Sequence, residues 1–272
     1  MAVIGDRGNT DRNYVFDDAW YAERARIGSL EAALDAGTIR HLEDLGVAEG
    51  WRCLDVGAGA GSIAVWLCGR VGAGGRVVAC DVQTKFLDVL DHPELDVLRH
   101  DIAVAGLPEG FDLVHVRWTL HWPPQRAAAV KHVVDALRPG GWLLAEEPDF
   151  VTTYEACTSE VLRRVWVAAT AHVETISGGM DTRYGRRLPG DLATHGLTDL
   201  EMEGRVHLFR GGDDRSGARW MRLTIEKVGR EIVESGAVTA AEFEEAVLLL
   251  EDPTFATMSP VTVAVWGRKP AA

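Results

Sequence analysis

Three glycines at alternating positions constrain the fold of this chain more than any other feature. They belong to the segment Leu-Asp-Val-Gly-Ala-Gly-Ala-Gly-Ser at residues 54–62, which follows directly on an apolar run. Glycine adopts positive φ without strain and places no side chain between the backbone and a ligand. The segment therefore predicts a buried strand over residues 51–56, a sharp turn at Gly57, Gly59 and Gly61, and a helix over residues 62–71.

After this turn, apolar segments of strand length alternate with helical patterns. Further strands are predicted over residues 76–80, 95–100, 111–117 and 142–145, and helices over residues 85–90 and 126–137. Strands with nearly continuous apolar cores that alternate with helices are typical of a parallel sheet with both faces covered. We therefore expect an α/β protein with a Rossmann-like, doubly wound sheet.

The segments on either side of this core have other patterns. Residues 13–45 show the helical spacing of apolar side chains and predict two helices that end at Gly46. Beyond residue 150 we predict a long amphipathic helix (158–175), a loop with a short helix (181–197), a sixth strand (200–209), two helices (216–235 and 240–250) and a seventh strand (261–266). We therefore divide the chain into a helical N-terminal cap (1–45), a ligand-binding core (46–150), a helical lid insertion (151–198) and a C-terminal part of the core sheet with its helices (199–272).

Charge and cysteine content limit the partners that this chain can have. The net charge of -13 over 272 residues opposes contact with a phosphate backbone, which draws its affinity from clustered Lys and Arg. No apolar run approaches the roughly 20 residues that cross a bilayer. The four cysteines form no CxxC pair and are expected to be reduced thiols. We therefore expect a cytoplasmic protein that acts on a small molecule and contacts neither nucleic acid nor membrane, with its oligomeric state open, a homodimer included.

Two classes of cofactor bind to a glycine loop of this kind. Dinucleotides use GxGxxG, and S-adenosylmethionine uses an acidic residue followed by GxGxG. Ser62 stands where a dinucleotide loop needs its third glycine, and Asp55 lies where a carboxylate would repel a diphosphate but attract a cation. The loop therefore favours S-adenosylmethionine, which carries a sulfonium and an ammonium group, over the alternative of an NAD-dependent oxidoreductase.

Two further acids follow predicted strands at the same edge of the sheet. Asp81 ends the second strand, where a carboxylate can accept hydrogen bonds from ribose hydroxyls, although a dinucleotide site places an acid similarly. Asp101 follows the third strand and precedes Ile102, which together suit an exocyclic amine and the face of an adenine ring. Each acid also has a local interpretation, because Asp is common as a helix N-cap and in solvated loops.

Through these residues, the chain resembles a class I S-adenosylmethionine-dependent methyltransferase of the small-molecule type, similar to UbiE-like and secondary-metabolite enzymes. The motifs that carry the resemblance are LDVGAGAGS, VVACDV, HDI, FDLVHVRWTLHW and LRPGGWLLAEEP, which cover about residues 50–150. The resemblance implies a seven-stranded, mostly parallel sheet whose last strand is reversed. It also implies the cofactor-binding residues: Asp55, Gly57, Gly59 and Gly61 for the methionine part, Asp81 for the ribose, Val82, Gln83, Asp101 and Ile102 for the adenine, and the backbone of Arg117 and Trp118 beside the methyl group.

The N-terminal helical segment is similar to the cap that closes over the cofactor in many such enzymes. Tyr21 and Arg26 are therefore candidates to reach the cofactor carboxylate. The alternative for Arg26 is a solvated position on an amphipathic helix.

Candidates for catalysis lie after the predicted strands and in the lid. His121 falls in an aromatic cluster with Trp118 and Trp122, Glu146 ends the fifth strand, and His172 lies on the long helix of the lid. Each histidine can instead be a structural hydrogen-bonding residue. Of Glu146 and Glu147, we expect one to hydrogen-bond the acceptor or a neighbouring backbone amide and the other to be solvated.

The chemistry that we expect is transfer of a methyl group to a small, aromatic or polycyclic acceptor at O, N or C, in secondary metabolism. Methyl transfer can be accelerated by alignment alone, without an acid or base. The sequence shows no clustered metal ligands, so we predict a metal-independent reaction. The alternative is a relative that binds S-adenosylmethionine but catalyses cyclisation or rearrangement.

Overall fold

The computed structural model describes residues 23–213 and 217–271. Residues 1–22 of the predicted helical cap, Tyr21 among them, lie outside the described residues.

The described chain alternates strands and helices as far as β5 and then adds helices. In order, the elements are α1 (Glu23–Asp44), β1 (Arg52–Val56), α2 (Ser62–Val71), β2 (Arg76–Asp81), β3 (Leu95–Arg99), β4 (Phe111–Arg117), α3 (Arg126–Ala136), β5 (Leu137–Asp149), α4 (Val151–Glu155), α5 (Glu160–Ser177), a 3-10 turn (Tyr184–Arg186), α6 (Leu188–Thr194), β6 (Thr198–Arg205), β7 (Leu208–Arg210), α7 (Gly217–Glu234), α8 (Ala240–Glu251), β8 (Ala256–Met258) and β9 (Val261–Arg268).

Seven of the strands form one sheet in the order β3-β2-β1-β4-β5-β9-β6. The pairs from β3 to β5 are parallel, whereas β9 runs antiparallel to both β5 and β6. The predicted Rossmann-like sheet with a reversed last strand is therefore confirmed. The strand order changes direction between β1 and β4, and ligands of such sheets bind in the crevice at the carboxyl ends of the strands on either side of that point.

Apolar side chains cover both faces of this sheet. On one face, α2 packs Ile63, Ala64 and Leu67 against the buried residues of β1 and β2. On the other face, α3 packs against β4 and β5, and α6 packs against α3, β6 and β9. The sheet is therefore buried on both sides, which accounts for strands that are apolar nearly throughout.

A third apolar cluster lies over the carboxyl edge of the sheet. Helices α5, α7 and α8 pack on one another, and α1 packs on α7. The largest side chains of this cluster are aromatic: Phe150, Trp166, Phe209 and Trp220. The helices that follow residue 198 are thus packed together with those of the predicted lid.

Three predicted elements have different forms in the structure. The described part of the cap is one helix, α1, which continues through Gly28 and Gly37. At Gly37 a Cβ atom would lie 2.7 Å from the guanidinium of Arg205, so this glycine admits a close contact and does not end the helix. The prediction of a helix over residues 85–90 is wrong, because the N–H groups of Leu87 and Asp88 both bond to the carbonyl of Thr84 in an isolated turn.

The predicted strand over residues 200–209 is two strands in two different sheets. β6 is an edge strand of the main sheet, and β7 pairs with β8 in a separate two-stranded sheet. Between them, the N–H group of His207 donates to Ser259 Oγ, and the N–H group of Ser259 donates to the carbonyl of His207. These two bonds turn the chain away from the main sheet.

Candidate active site

A cavity of about 280 Å³ lies between the carboxyl edge of the sheet and the helices above it. Its polar end is formed by the glycine loop, the ends of β2 and β3 and helix α1. Its other end is formed mainly by aromatic side chains. The polar end includes Gly57, Gly59, Asp81, Val82, Gln83, Asp101 and Ile102, and the aromatic end includes Trp118, His121, Trp122, Phe150, Trp166 and Trp220.

The three glycines of the loop all have positive φ, but they have different neighbours. φ is 67° at Gly57, 60° at Gly59 and 90° at Gly61. A Cβ atom at Gly57 would collide with the side chain of Thr119, and one at Gly61 would lie 2.5 Å from Leu90 Cδ1. Gly57 and Gly59 line the cavity, whereas Gly61 faces the apolar core.

Asp81 and Asp101 lie at the cavity wall, where their strands end. Asp81 accepts hydrogen bonds from the N–H groups of Gly59 (3.1 Å) and Gln83 (3.0 Å). Burial raises the pKa of Asp81 to about 6, although these hydrogen bonds favour the charged form. Asp101 accepts a bond of 2.8 Å from the N–H group of Ala103, which leaves Ile102 beside it on the cavity wall.

Helix α1 contributes a carboxylate that the sequence analysis missed. Glu31 lines the cavity and accepts hydrogen bonds from the N–H groups of Ala60 (3.1 Å) and Ser62 (3.4 Å). Burial raises the pKa of Glu31. Its position at the start of α2, where backbone N–H groups lack helical partners, explains how it anchors α1 to the glycine loop.

Arg26 also lies on α1 and lines the cavity. It is buried, and its guanidinium donates to the carboxylate of Glu23 at 2.6 and 2.9 Å. Arg26 therefore lies at the polar end of the cavity, and its guanidinium is bonded to a carboxylate of its own helix.

Asp55 does not line the cavity. It is buried below the loop, and its Oδ1 atom lies 2.7 Å from Nδ1 of His115. The Nε2 atom of the same histidine lies 3.5 Å from the carboxylate of Glu146. Burial alone would lower the pKa of His115, but the two carboxylates raise it. The acid of the glycine motif thus belongs to a buried charge network.

Glu146 is a second member of this network and also lies outside the cavity lining. Its carboxylate accepts hydrogen bonds from Thr38 Oγ1 (2.5 Å) and from the guanidinium of Arg205. Burial opposes its ionisation, but His115, Arg117 and Arg205 lower the pKa of Glu146 to about 2. A carboxylate of this kind is a poor proton acceptor near neutral pH.

Arg117 and Trp118 lie where β4 ends. The guanidinium of Arg117 donates to Thr38 Oγ1 and to Asp35 Oδ1, both at 2.8 Å, and so binds α1 to the sheet. Trp118 has a φ of 51°, which is uncommon for a residue with a side chain. Strained backbone of this kind is concentrated at functional sites, and here it directs an indole ring to the cavity wall.

His121 is the histidine that the structure brings to the aromatic end, and Glu147 holds it there. Nδ1 of His121 lies 2.8 Å from Glu147 Oε2. The same carboxylate accepts the backbone N–H groups of Thr119 (3.0 Å), Leu120 (2.7 Å) and His121 (3.2 Å). Because a carboxylate only accepts hydrogen bonds, His121 donates to Glu147 from Nδ1, and the neutral form of this ring has its lone pair on Nε2.

The expectation that one acid of the pair at residues 146 and 147 is solvated is wrong, because both side chains are fully buried. The sequence held a signal for this outcome. Two adjacent acids follow an apolar strand, and buried carboxylates require hydrogen-bond partners within the protein.

His172 does not reach the cavity. It lies on α5, but the residues of this helix that line the cavity are Trp166, Thr170, Val173 and Ser177. The helix therefore presents another face to the cavity.

The aromatic end of the cavity contains a contiguous set of rings. The ring of Trp220 lies 5.2 Å from that of Trp118 and 5.3 Å from that of Trp166, in edge-to-face arrangements. Phe150 stacks on Trp166 at 5.8 Å. Neither Trp220 nor Phe150 was predicted as a site residue. Trp220 lies on α7, which reaches the cavity only through tertiary packing, and Phe150 directly follows β5.

In residues 23–213 and 217–271, no three His, Cys, Asp or Glu side chains are grouped so that they could hold a metal ion. Within the same residues, no helix has the length and apolar character of a membrane span.

Comparison with known proteins identifies the central part of the chain. Residues 54–145 match a family model described as a methyltransferase domain. Residues 54–145 are therefore a methyltransferase domain. The matched range runs from the glycine loop into β5 and includes every strand end that lines the polar end of the cavity.

Relatives with known names support this assignment. The methyltransferase Str2 of Strobilurus tenacellus is 24% identical over 171 residues, which are 61% of this chain and 60% of Str2. The ubiquinone/menaquinone biosynthesis C-methyltransferase UbiE of Pseudomonas putida is 30% identical over 115 residues, 39% of this chain and 45% of UbiE. The chain thus matches less than two thirds of the length of either relative.

A solved structure shows the same fold. Phosphoethanolamine N-methyltransferase 2 of Haemonchus contortus, solved with S-adenosyl-L-methionine, has a TM-score of 0.57 and 16% identity over 96% of this chain and 60% of its own. At this identity, the likeness is one of fold.

Proposed function

We propose that this protein transfers a methyl group from S-adenosylmethionine to a small, aromatic or polycyclic acceptor. The observation that carries the proposal is the two-ended cavity, which has glycine backbone and strand-end carboxylates at one end and aromatic rings with a histidine at the other. The methyltransferase domain match over residues 54–145 supports the reaction class.

The hydrogen-bonding groups at the polar end of the cavity suit the cofactor. The backbone at Gly57 and Gly59 would border the methionine part, Asp81 would accept the ribose hydroxyls, and Asp101 with Ile102 would bind the adenine. Glu31 adds negative charge beside the loop, which suits a cofactor with two cationic groups. When bound, S-adenosylmethionine supplies an electrophilic methyl group on its sulfonium.

Asp55 and Gly61 have a supporting role in this proposal. Asp55 pairs with His115 below the loop, and Gly61 allows the loop to approach Leu90. We infer that both shape the loop without contacting the cofactor.

His121 is our candidate for the general base. Its Nδ1–H group is held by Glu147, so the Nε2 lone pair is available to take a proton from a hydroxyl or amine of the acceptor. A base of this kind is needed when the acceptor atom carries a proton that it must lose during transfer. Glu147 fixes the tautomer and the ring orientation, and neither Glu146 nor His172 takes part in the proposed chemistry.

The helices above the sheet would exclude water from the transfer. We propose that the lid extends beyond residue 198, because α7 supplies Trp220 to the cavity and packs on α5 of the predicted insertion. A place in secondary metabolism, a cytoplasmic location and a homodimer stay predictions.

The test is a product assay with the purified full chain. We expect S-adenosylmethionine to be bound in calorimetry, and an aryl acceptor to gain one methyl group in mass spectrometry while S-adenosylhomocysteine accumulates. A product of unchanged mass would favour cyclisation or rearrangement. Binding of NADH without binding of S-adenosylmethionine would refute the proposal in favour of an oxidoreductase.

A further inference from the structure

One ring nitrogen at the aromatic end of the cavity is available to a ligand. Nδ1 of His121 lies 2.8 Å from Glu147 Oε2, whereas Nε2 has no hydrogen-bond partner among the described residues. Nε2 of His207 also lacks a partner but is sealed from solvent, and Nε2 of His121 is not. Because His121 is only 2% exposed and lines the cavity, the accessible surface of Nε2 faces the cavity. In the neutral ring this atom accepts a hydrogen bond.

The side-chain hydroxyl groups that line the cavity already donate hydrogen bonds within the protein. They belong to Thr119, Thr170, Ser177 and Thr224, and each donates to a backbone carbonyl, at 3.0, 2.8, 3.2 and 2.7 Å respectively. A hydroxyl group has one proton to donate, so none of these four can donate to a ligand without breaking a bond.

Three indole N–H groups are also closed to a ligand. The N–H group of Trp166 donates to Thr153 Oγ1 at 3.1 Å. The Nε1 atoms of Trp118 and Trp220 have essentially no accessible surface, although their rings line the cavity. His121 thus offers a hydrogen-bond acceptor while these indoles and the four hydroxyls offer no donor, which suits a ligand group that donates.

The charges around the aromatic end favour an uncharged donor. Among the described residues that line this end, none is a lysine, an arginine, an aspartate or a glutamate. Glu147 is fully buried and already accepts hydrogen bonds from His121 and from three backbone N–H groups. A carboxylate or an ammonium group would therefore be buried without a counter-ion, which is costly. Alkylamines are disfavoured because they are cations near neutral pH.

We propose that the acceptor is an uncharged aromatic phenol, whose hydroxyl group donates to Nε2 of His121 and is methylated on oxygen. The proposal rests on the proposed function, whose acceptor it defines. A phenol gains most from this histidine, because its proton must leave as the new O–C bond forms. An aromatic amine loses its proton only after transfer, so a base accelerates that reaction less. The rings of Trp118, Trp166 and Trp220 supply apolar walls for the planar part.

The proposed step balances as follows. The phenol oxygen forms a bond to the methyl carbon, the bond from that carbon to sulfur breaks with its electron pair left on sulfur, and the hydroxyl proton passes to Nε2 of His121. The products are a neutral methyl ether, S-adenosylhomocysteine and a protonated His121, which gives its proton to water.

The binding test compares two ligands of similar size, 2-naphthol and 2-fluoronaphthalene, of which only the first can donate a hydrogen bond. Calorimetry with the full chain, with and without S-adenosylhomocysteine, should show that 2-naphthol binds about tenfold more tightly, the range expected for a neutral hydrogen bond. His121→Phe should abolish this preference. His172→Phe is the matched control and should keep it, because His172 does not line the cavity.

The product test uses the wild-type chain and therefore holds if a variant does not fold. With S-adenosylmethionine, 2-naphthol should yield 2-methoxynaphthalene. Formation of 1-methyl-2-naphthol, faster methylation of 2-naphthylamine, or equal affinities for 2-naphthol and 2-fluoronaphthalene would overturn the proposal, as would tighter binding of 2-naphthoate or of 2-naphthylmethylammonium. Failure to bind S-adenosylhomocysteine would instead refute the proposed function, and the comparison of the two ligands without it would still decide the inference.

Discussion

Cofactor affinity should depend on pH through Asp81. Burial raises the pKa of this carboxyl to about 6, and its two oxygens already accept the N–H groups of Gly59 and Gln83. If ribose hydroxyls are bound by the ionised form, protonation removes the charged acceptor, so affinity falls with pH below the pKa.

The size of the effect follows from the fraction of Asp81 that is ionised. With a pKa of about 6, this fraction is roughly 0.97 at about pH 7.5 and roughly 0.09 at about pH 5. The dissociation constant of S-adenosylhomocysteine should therefore rise about tenfold over this range, which corresponds to ~1.4 kcal/mol. Calorimetry at a series of pH values measures it directly.

The control is Asp81→Asn, which keeps one acceptor oxygen but cannot titrate. We expect this variant to bind more weakly near neutral pH and to show little change over the same range. Equal pH dependence in the wild type and in Asp81→Asn would refute the assignment of the ribose to Asp81. The titration would then belong to another group at the polar end, with Glu31 as the first choice, because burial raises its pKa as well.

Three further changes test other parts of the site. Glu147→Gln should lower the free energy of unfolding by about 2–4 kcal/mol and reduce the turnover of hydroxyl acceptors. The reason is that the amide NH₂ group would face N–H groups that now donate to the carboxylate. Unchanged melting and turnover would contradict the role of Glu147 in holding His121. Gly57→Ala should destabilise the chain in thermal melts, because φ is 67° and the new Cβ would collide with Thr119, whereas an equally stable variant would show that the loop relaxes. The pKa of Glu146 is lowered to about 2, so its charge stabilises the fold above about pH 4.5 by about 3 kcal/mol, and this stabilisation is lost as the pH falls towards 2. Urea unfolding should therefore show a smaller loss of stability over that range in Glu146→Gln than in the wild type, and parallel curves would contradict the network.

Much of the fold could be predicted because its signals are local. The glycine loop, α2 and the apolar strands depend on backbone conformation and on burial within short segments. Residues 85–90 misled the prediction because a helical pattern of six residues cannot be distinguished from a single turn, and short helices depend on tertiary packing for stability. The strand over residues 200–209 was misassigned because the bonds that divide it come from Ser259, far along the chain.

Site residues were predicted where they lie at the end of a strand. They were missed where the packing of another helix brings them to the cavity. Asp81 and Asp101 end their strands, and sequence position alone brings them to the cavity. Glu31 has no motif around it, and its role appears only when α1 lies against the loop. Trp220 is separated from Trp118 by about a hundred residues of chain, so the contact of their rings could not be found by spacing.

The attachment of α1 has a practical meaning for dividing or recombining this protein. The recognisable domain begins at residue 54, yet a fragment cut there would lack the partners that Asp35 and Thr38 provide to the guanidinium of Arg117 and the carboxylate of Glu146. Chimaeras with related enzymes should therefore exchange α1, the glycine loop and β4 together as one unit. A graft that takes the motif and leaves the helix would transfer the cavity with one wall missing.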